Sequence, residues 1–153
     1  MRLLHRRLDG EDAHEAGLSL LQALCGGTLP EIRRTPLGKP YFPDSKLHFS
    51  ISHTPLHAFC VVSQQPVGID AEELNREIDL RLAEKILSPA ELSQYEKAED
   101  KQRALLTFWV LKEAAGKCTG EGLQIWPNHT DFSLADPRVQ EIDGCLVAVI
   151  EQQ

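Results

Sequence analysis

Residues 47–63 read LHFSISHTPLHAFCVVS, which is two β-prone runs on either side of one turn signal. Apolar and polar residues alternate over 47–52, so the apolar side chains share one face of a strand. Residues 57–63 form the second run, and the Thr54-Pro55 pair between the two runs predicts a β-hairpin.

The segments on either side of this hairpin extend the pattern. Residues 11–24 place leucines on one helical face and end at Gly26-Gly27, a glycine stop. On the other side, a third strand is predicted over residues 65–72, where Pro66 precedes an apolar run.

Helices follow in the second half of the chain. A first helix is predicted over residues 80–87. Ser88 caps a second one, because Pro follows it and Glu91 completes a capping box. The longest helix is predicted over about residues 100–118, with a stop at Gly120.

The tail of the chain predicts two more strands, near residues 130–134 and 145–150, with Asp143-Gly144 as the turn before the last one. With a further strand before the first helix, the element order is then β–α–β–β–β–α–α–α–β–β. Strands that precede a run of helices are typical of the α+β class, here with mostly antiparallel sheets.

Composition excludes several classes of protein. The 153 residues are 42% apolar and 25% charged, as in a globular domain or two small lobes. There is no membrane-length apolar run and no signal-like amino end, so we expect a cytoplasmic protein without a membrane partner. The net charge of −7 argues against a nucleic-acid partner. Four scattered cysteines without a C-x-x-C pair predict core residues rather than a zinc or disulfide framework.

Asp70 and Glu72 are two positions apart on a predicted strand, so both carboxylates point to the same side. Two carboxylates on one face repel each other unless a cation lies between them, and a hard divalent ion with oxygen ligands is the usual solution. A solvated strand face is the alternative interpretation.

Trp109, Glu113 and Lys117 recur at intervals of four on the long helix and share one of its faces. Glu113 and Lys117 also have the order of an ordinary stabilising helix pair, and Trp109 stands among core-type residues. This helix therefore specifies no chemistry by itself.

Four segments in order are more specific than any one of them: GKPYF at 38–42, FSISHT at 49–54, GIDAE at 68–72 and WVLKEAAGK at 109–117. The set closely resembles the 4′-phosphopantetheinyl transferases of the surfactin-synthetase-activating (Sfp-like) class. The resemblance implies a compact, two-lobed, pseudo-twofold α+β fold. It also implies transfer of 4′-phosphopantetheine from coenzyme A to a serine of an apo acyl or peptidyl carrier protein, with release of 3′,5′-ADP. This is the reaction of a holo-[acyl-carrier-protein] synthase, which serves fatty-acid, polyketide or non-ribosomal peptide biosynthesis.

The resemblance also implies a set of site residues. Asp70, Glu72 and Glu113 would be the ligands of a catalytic Mg²⁺ ion. Lys117 would contact the pyrophosphate of coenzyme A, and Glu113, directly or through water, would take the proton of the carrier serine.

The same resemblance assigns a coenzyme A site to the basic stretch of the chain. Lys39 and His53 would contact the adenosine and its 3′-phosphate, and Ser52 would donate to a phosphate oxygen. His53 could instead cap the hairpin. The residues expected to bind coenzyme A are Gly38, Lys39, Pro40, Ser52, His53 and Lys117.

Two departures from the family pattern concern the amino-terminal half. The first lobe, residues 1–63, looks shortened by a strand or two, whereas residues 64–153 would form the second lobe with the metal site. An edge strand lost there would leave backbone groups for a second copy to pair with, so we expect a homodimer. The family's basic residues near the first helix are replaced by Gly10 and Glu15.

The carrier protein is expected to dock on residues 76–87, where basic side chains alternate with leucines and an isoleucine that could equally be core. Two other functions remain open at this point. One is a module that binds coenzyme A or a carrier without transfer, and the other is a metal-dependent phosphohydrolase.

Overall fold

The 47–63 hairpin is the centre of one sheet in a computed structural model that describes residues 1–129 and 131–153. Strands β4 (His48–His53) and β5 (His57–Ser63) pair antiparallel, and β1 (Arg2–Arg7) pairs antiparallel with the other side of β5. Every residue of β5 is buried, because the strand is central in its sheet, a helix covers one face and apolar residues of a second sheet cover the other.

Helix α1 (Ala13–Leu24) covers one face of this first sheet. Asp12 begins the helix by accepting a hydrogen bond from the Glu15 backbone N–H at 2.9 Å. The leucines of α1 pack against Phe49 and Cys60 of the sheet, so the predicted amphipathic helix is confirmed. A short ribbon of β2 (Arg33–Arg34) and β3 (Pro40–Tyr41) lies between α1 and β4 in the chain.

The second sheet has the strand order β6 (Val67–Glu73), β8 (Cys145–Glu151), β7 (Val139–Ile142), and both pairings are antiparallel. Helix α4 (Lys101–Thr119) covers one face of it through a core that includes Phe108. The predicted long helix and its stop at Gly120, which has a left-handed φ of 79°, are confirmed.

The two sheets meet where β4 lies beside β6. Ser50 Oγ accepts a hydrogen bond from the Ile69 N–H at 3.0 Å, and Ser52 Oγ accepts one from the Ala71 N–H at 3.1 Å. Serine side chains therefore take the place of a backbone ladder at this junction. This contact positions the acidic strand β6 against the end of the hairpin.

Gly68 lets β6 approach α4 closely. A Cβ atom at this position would lie 2.0 Å from the Ala114 carbonyl oxygen and 2.5 Å from the Cys118 nitrogen, far inside contact distance. The glycine of the GIDAE segment is therefore required by helix–strand packing. As a result, the carboxylates of β6 lie next to the polar side chains of α4.

The first connecting helix is less regular than the sequence predicts, and the second begins as predicted. The expected helix over residues 80–87 forms as a 3₁₀ turn (Leu80–Leu82) followed by α2 (Ala83–Ile86). Helix α3 (Pro89–Lys97) begins with the predicted capping box, in which Ser88 and Glu91 exchange backbone-to-side-chain hydrogen bonds of 2.9 and 3.1 Å.

The predicted strand near residues 130–134 is wrong over the part that the structure describes. Thr130 lies outside the described residues, and residues 131–134 form no strand. Their backbone groups bond to α3 side chains instead: the Phe132 N–H donates to Glu91 and the Leu134 N–H donates to Gln94. The strand that does form in the tail before the last one is β7, which begins later in the chain. The predicted turn at Asp143-Gly144 and the last strand β8 are confirmed.

All four cysteines are free, and three of them are buried as predicted: Cys60, Cys118 and Cys145. Within the described residues, no helix has both the length and the apolar character required to cross a bilayer.

Candidate active site

A cavity of about 570 Å³ opens beside the junction of the two sheets. This volume is in the range of small-molecule and cofactor sites. Its walls come from α1, the β2–β3 ribbon, β4 and the carboxyl-terminal half of α4. Six of the residues expected at the site line it: Gly38, Lys39, Pro40, His53, Glu113 and Lys117.

Among the ionisable side chains that line this cavity, basic ones outnumber the single acidic one, Glu113. Lys39 reaches across to the Cys118 carbonyl at the end of α4, and its partial burial lowers the pKa of its ammonium group. Arg34 donates to the Gly38 carbonyl at 2.9 Å and faces the same space, as does His14 of α1. Neither Arg34 nor His14 is among the residues expected to bind coenzyme A. This concentration of positive charge suits an anionic ligand.

Asp70 is the most buried carboxylate of the expected set, with 7% of its surface exposed. Its Oδ1 atom accepts a hydrogen bond of 3.1 Å from Lys117 Nζ, whereas no hydrogen-bond partner of Oδ2 exists in the described part of the chain. Burial raises the pKa of Asp70 to about 7, against the opposing effect of Lys117. A buried carboxylate with an unpaired oxygen is a feature that a bound cation would satisfy.

Glu72 and Glu113 lie near Asp70, and each of these two carboxylates raises the pKa of Asp70 through like-charge repulsion. The Glu72 carboxylate is held by Arg76 at 2.5 Å, and burial raises its own pKa. The Glu113 carboxylate lines the cavity and makes no ion pair with any residue of 1–129 or 131–153. All three side chains offer only oxygen donors, the type that Mg²⁺ prefers.

The three carboxylates are not drawn together into a tight cluster. Among the described residues, the only trio whose possible metal-ligand atoms all lie within 4.8 Å of one another is a different one, His57, Glu73 and Cys145. Coulomb repulsion between carboxylates, with Lys117 and Arg76 each holding one of them, accounts for this spacing.

Lys117 lies between the carboxylates and the sheet junction. Its ammonium group donates to the Ile69 carbonyl at 3.0 Å and to Asp70, and it lies 3.4 Å from the Ile51 carbonyl. One third of this side chain remains exposed at the cavity. In this position Lys117 both holds Asp70 and faces a ligand in the cavity.

Ser52 is placed differently from the other expected residues. Its hydroxyl is buried against the Ala71 N–H and lies 3.4 Å from Asp70 Oδ1, and it does not line the cavity. His53, the next residue, is exposed and lines the cavity, because successive side chains of a strand point to opposite faces.

One buried ion pair on the helix that carries Glu113 and Lys117 was not predicted from the sequence. Lys112, in the middle of WVLKEAAGK, is fully buried with its Nζ atom 2.8 Å from Glu91 Oε1, and Glu91 is fully buried too. The other Glu91 oxygen accepts the Phe132 N–H at 2.9 Å. The Lys112–Glu91 ion pair thus connects α3 and the segment that contains Phe132 to α4, the helix that carries Glu113 and Lys117.

Comparison of the sequence with known proteins identifies its family. A family model of the 4′-phosphopantetheinyl transferase superfamily matches residues 66–146, which is more than half of the chain. The chain therefore belongs to the 4′-phosphopantetheinyl transferase superfamily, and its relatives place it with the Sfp-like type.

Three curated relatives carry the name 4′-phosphopantetheinyl transferase. The protein gsp of Aneurinibacillus migulanus is 37% identical over 95 residues, 61% of this chain and 39% of the relative. HetI of a Nostoc strain is 33% identical over 122 residues, 71% of this chain and 52% of the relative. A Bacillus subtilis transferase is 33% identical over 91 residues, 58% and 40% respectively. The chain thus spans about half or less of the length of these relatives.

Proposed function

We propose that the chain transfers the 4′-phosphopantetheine group of coenzyme A to a serine of an apo acyl or peptidyl carrier protein. The observation that carries this proposal is the buried, half-paired carboxylate of Asp70 beside a cation-lined cavity, in a chain of this superfamily. Coenzyme A is a polyanion, and its size and charge match that cavity.

Arg34 and several of the expected residues have roles in this reaction. Lys39, Arg34 and His53 bind the phosphates and the adenosine, because their side chains converge on the cavity from three elements. Asp70, Glu72 and Glu113 would hold Mg²⁺, which offsets the charge that develops on the phosphates when it is bound.

The transfer itself is a displacement at phosphorus. The carrier serine Oγ forms a bond to the β-phosphorus of coenzyme A, and the bond from this phosphorus to the bridging oxygen breaks, so that 3′,5′-ADP leaves. Glu113 takes the serine proton, directly or through one water molecule, because its carboxylate faces the cavity without an ion-pair partner in the described chain. Lys117 is placed to stabilise the negative charge of the phosphates.

We also propose that the fold has two lobes related by a pseudo-twofold, residues 1–63 and 64–153. In support, each part contributes a three-stranded antiparallel sheet covered by one main helix, α1 or α4. In this arrangement the cavity lies where the two similar units meet.

The carrier protein would dock beside the cavity on the segment that leads from β6 to α3. Ile86 and Leu87 are buried in the core there, each 5% exposed, so they are unavailable to a partner. Leu80 is 38% exposed and is flanked by the exposed Arg81 and Lys85. A basic–apolar surface of this kind suits an acidic carrier.

A homodimer through the edge of the first sheet is a separate proposal. A monomeric mass in light scattering would exclude it.

The test is a transfer assay followed by mass spectrometry. The chain is incubated with coenzyme A, Mg²⁺ and each of several apo carrier proteins, and the phosphopantetheine adduct on serine is measured. We expect an adduct with at least one carrier and a loss of about 100-fold or more in Asp70→Ala and Glu113→Ala. Glu99→Ala, an exposed acidic control, keeps full activity.

Two outcomes would contradict the proposal. Retained turnover in both acidic variants would exclude the assigned metal ligands. Coenzyme A binding without an adduct on any carrier would favour a binding module. Circular dichroism of each variant ensures that a loss of transfer is not a loss of fold.

A further inference from the structure

A second group of side chains whose atoms could hold a metal ion lies outside the cavity. His57 begins β5 in the first sheet, whereas Glu73 and Cys145 face each other across β6 and β8 of the second sheet. His57 is 3% exposed, Cys145 is fully buried and Glu73 is 14% exposed. None of the three lines the cavity described above.

The side chains of this trio converge on one point. His57 Nδ1 lies 2.8 Å from Glu73 Oε1 and 3.3 Å from Cys145 Sγ, and the three ligand atoms all lie within 4.8 Å of one another. In a tetrahedral zinc site, bond lengths of 2.0–2.3 Å place neighbouring ligand atoms about 3.4–3.6 Å apart. A small rotation of the Glu73 side chain would bring the trio to this spacing.

The second ring nitrogen of His57, Nε2, has the kind of partner that histidine ligands have in known metal sites. His57 Nε2 lies 3.0 Å from Asp143 Oδ2, so a carboxylate orients the ring and leaves Nδ1 directed at the thiol and at Glu73. Histidine ligands of metals usually donate their second ring N–H to a carboxylate or a carbonyl in this way. Asp143 occupies the tight β7–β8 turn with a φ of 49° and is half exposed, which leaves an entry path for an ion.

We propose that His57, Glu73 and Cys145 bind one zinc ion, with Asp143 as the group that orients His57. Sulfur, nitrogen and oxygen donors together suit a borderline metal such as Zn²⁺ rather than Mg²⁺. A thiolate and a carboxylate also neutralise its two charges.

The role of this ion would be structural. It would join the first sheet to the second at the hairpin end, through ligands from β5, β6 and β8. Thr54 of the hairpin turn already contacts Glu73 at 2.5 Å and the His57 N–H at 2.9 Å. The ion would thus hold the turn that carries His53 next to the strand that carries Asp70.

The test uses Co²⁺ as a spectroscopic substitute for Zn²⁺ on the metal-stripped full chain. We expect one thiolate-bound Co²⁺ per chain, seen as a sulfur-to-cobalt charge-transfer band with the visible bands of a tetrahedral ion, and its displacement by one equivalent of Zn²⁺. Cys145→Ala loses the charge-transfer band completely. Cys60→Ala, which removes an equally buried cysteine of the neighbouring sheet, keeps it.

Two further variants make the result specific. Asp143→Asn weakens Co²⁺ binding by about 10–100-fold, because the orienting carboxylate is lost. Asp70→Ala keeps the band, so the outcome does not depend on transfer activity or on the other acidic site. Absence of the band in the wild-type chain, or its survival in Cys145→Ala, would overturn the proposal. The wild-type titration decides the question even if a variant fails to fold.

Discussion

Removal of Glu91 should destabilise the fold far more than removal of another glutamate of the same helix. In Glu91→Ala, the buried Lys112 ammonium loses its only carboxylate partner at hydrogen-bond distance in the described chain. The backbone N–H groups of Ser88 and Phe132 lose their acceptors at the same time. Glu91 therefore satisfies three buried donors from three separate segments.

The magnitude follows from these contacts. Breaking a buried ion pair from one side costs about 3–5 kcal/mol. Burial already lowers the pKa of Lys112, so loss of its proton limits the cost once Glu91 is gone. We therefore expect the free energy of unfolding of Glu91→Ala to fall by about 3–5 kcal/mol, and its Tm by about 6–20 °C for a chain of this size.

Urea and thermal unfolding, monitored by circular dichroism, measure both quantities. Glu96→Ala, at an exposed position of α3, serves as the control and should stay within about 0.5 kcal/mol of the wild type. The double variant Glu91→Met/Lys112→Met should recover part of the loss, because no charge is left buried, while the Ser88 and Phe132 N–H groups still lack their acceptor. A loss below about 1 kcal/mol in Glu91→Ala, or no recovery in the double variant, would refute this reasoning.

Three other predictions follow from the site. Gly68→Ala should lower the free energy of unfolding by about 2 kcal/mol or more, measured by urea unfolding, since its Cβ would lie 2.0 Å from the Ala114 carbonyl oxygen. Ser52→Ala should cost about 1–3 kcal/mol in the same measurement and leave the KM for coenzyme A unchanged, because its hydroxyl serves a backbone N–H outside the cavity. Lys39→Ala should raise that KM by about tenfold or more in the transfer assay, with an unchanged KM contradicting its place at the phosphates.

The fold was predictable wherever local rules operate. Alternation over the 47–63 hairpin, the capping box at Ser88 and the stop at Gly120 all predict elements that the structure contains. The failure near residues 131–134 has a nonlocal cause, since the backbone there bonds to side chains about 40 positions away. Patterns within a short window carry no information about such partners.

The candidate site was likewise predictable from the sequence only in part. Four segments in order indicate which residues gather around one cavity, and six of the expected ones line it. The same segments do not reveal that Ser52 turns towards β6, because the direction of a side chain depends on the strand beside it. They also give no sign of Cys145 beside His57, since 88 positions separate the two residues in the sequence.

The net charge of −7 is a poor guide to the ligand, because the fold separates charge locally. Gly68 brings β6 against α4, which places Asp70 beside Lys117 in a buried setting. There, one carboxylate oxygen is paired, the other has no partner among the described residues, and burial holds the pKa of Asp70 near 7. Stability alone would favour an apolar residue at this position, because an unpaired buried oxygen costs free energy. The arrangement would become favourable if, as proposed, a cation and a polyanion bind together, since each would neutralise groups that the fold alone leaves in excess.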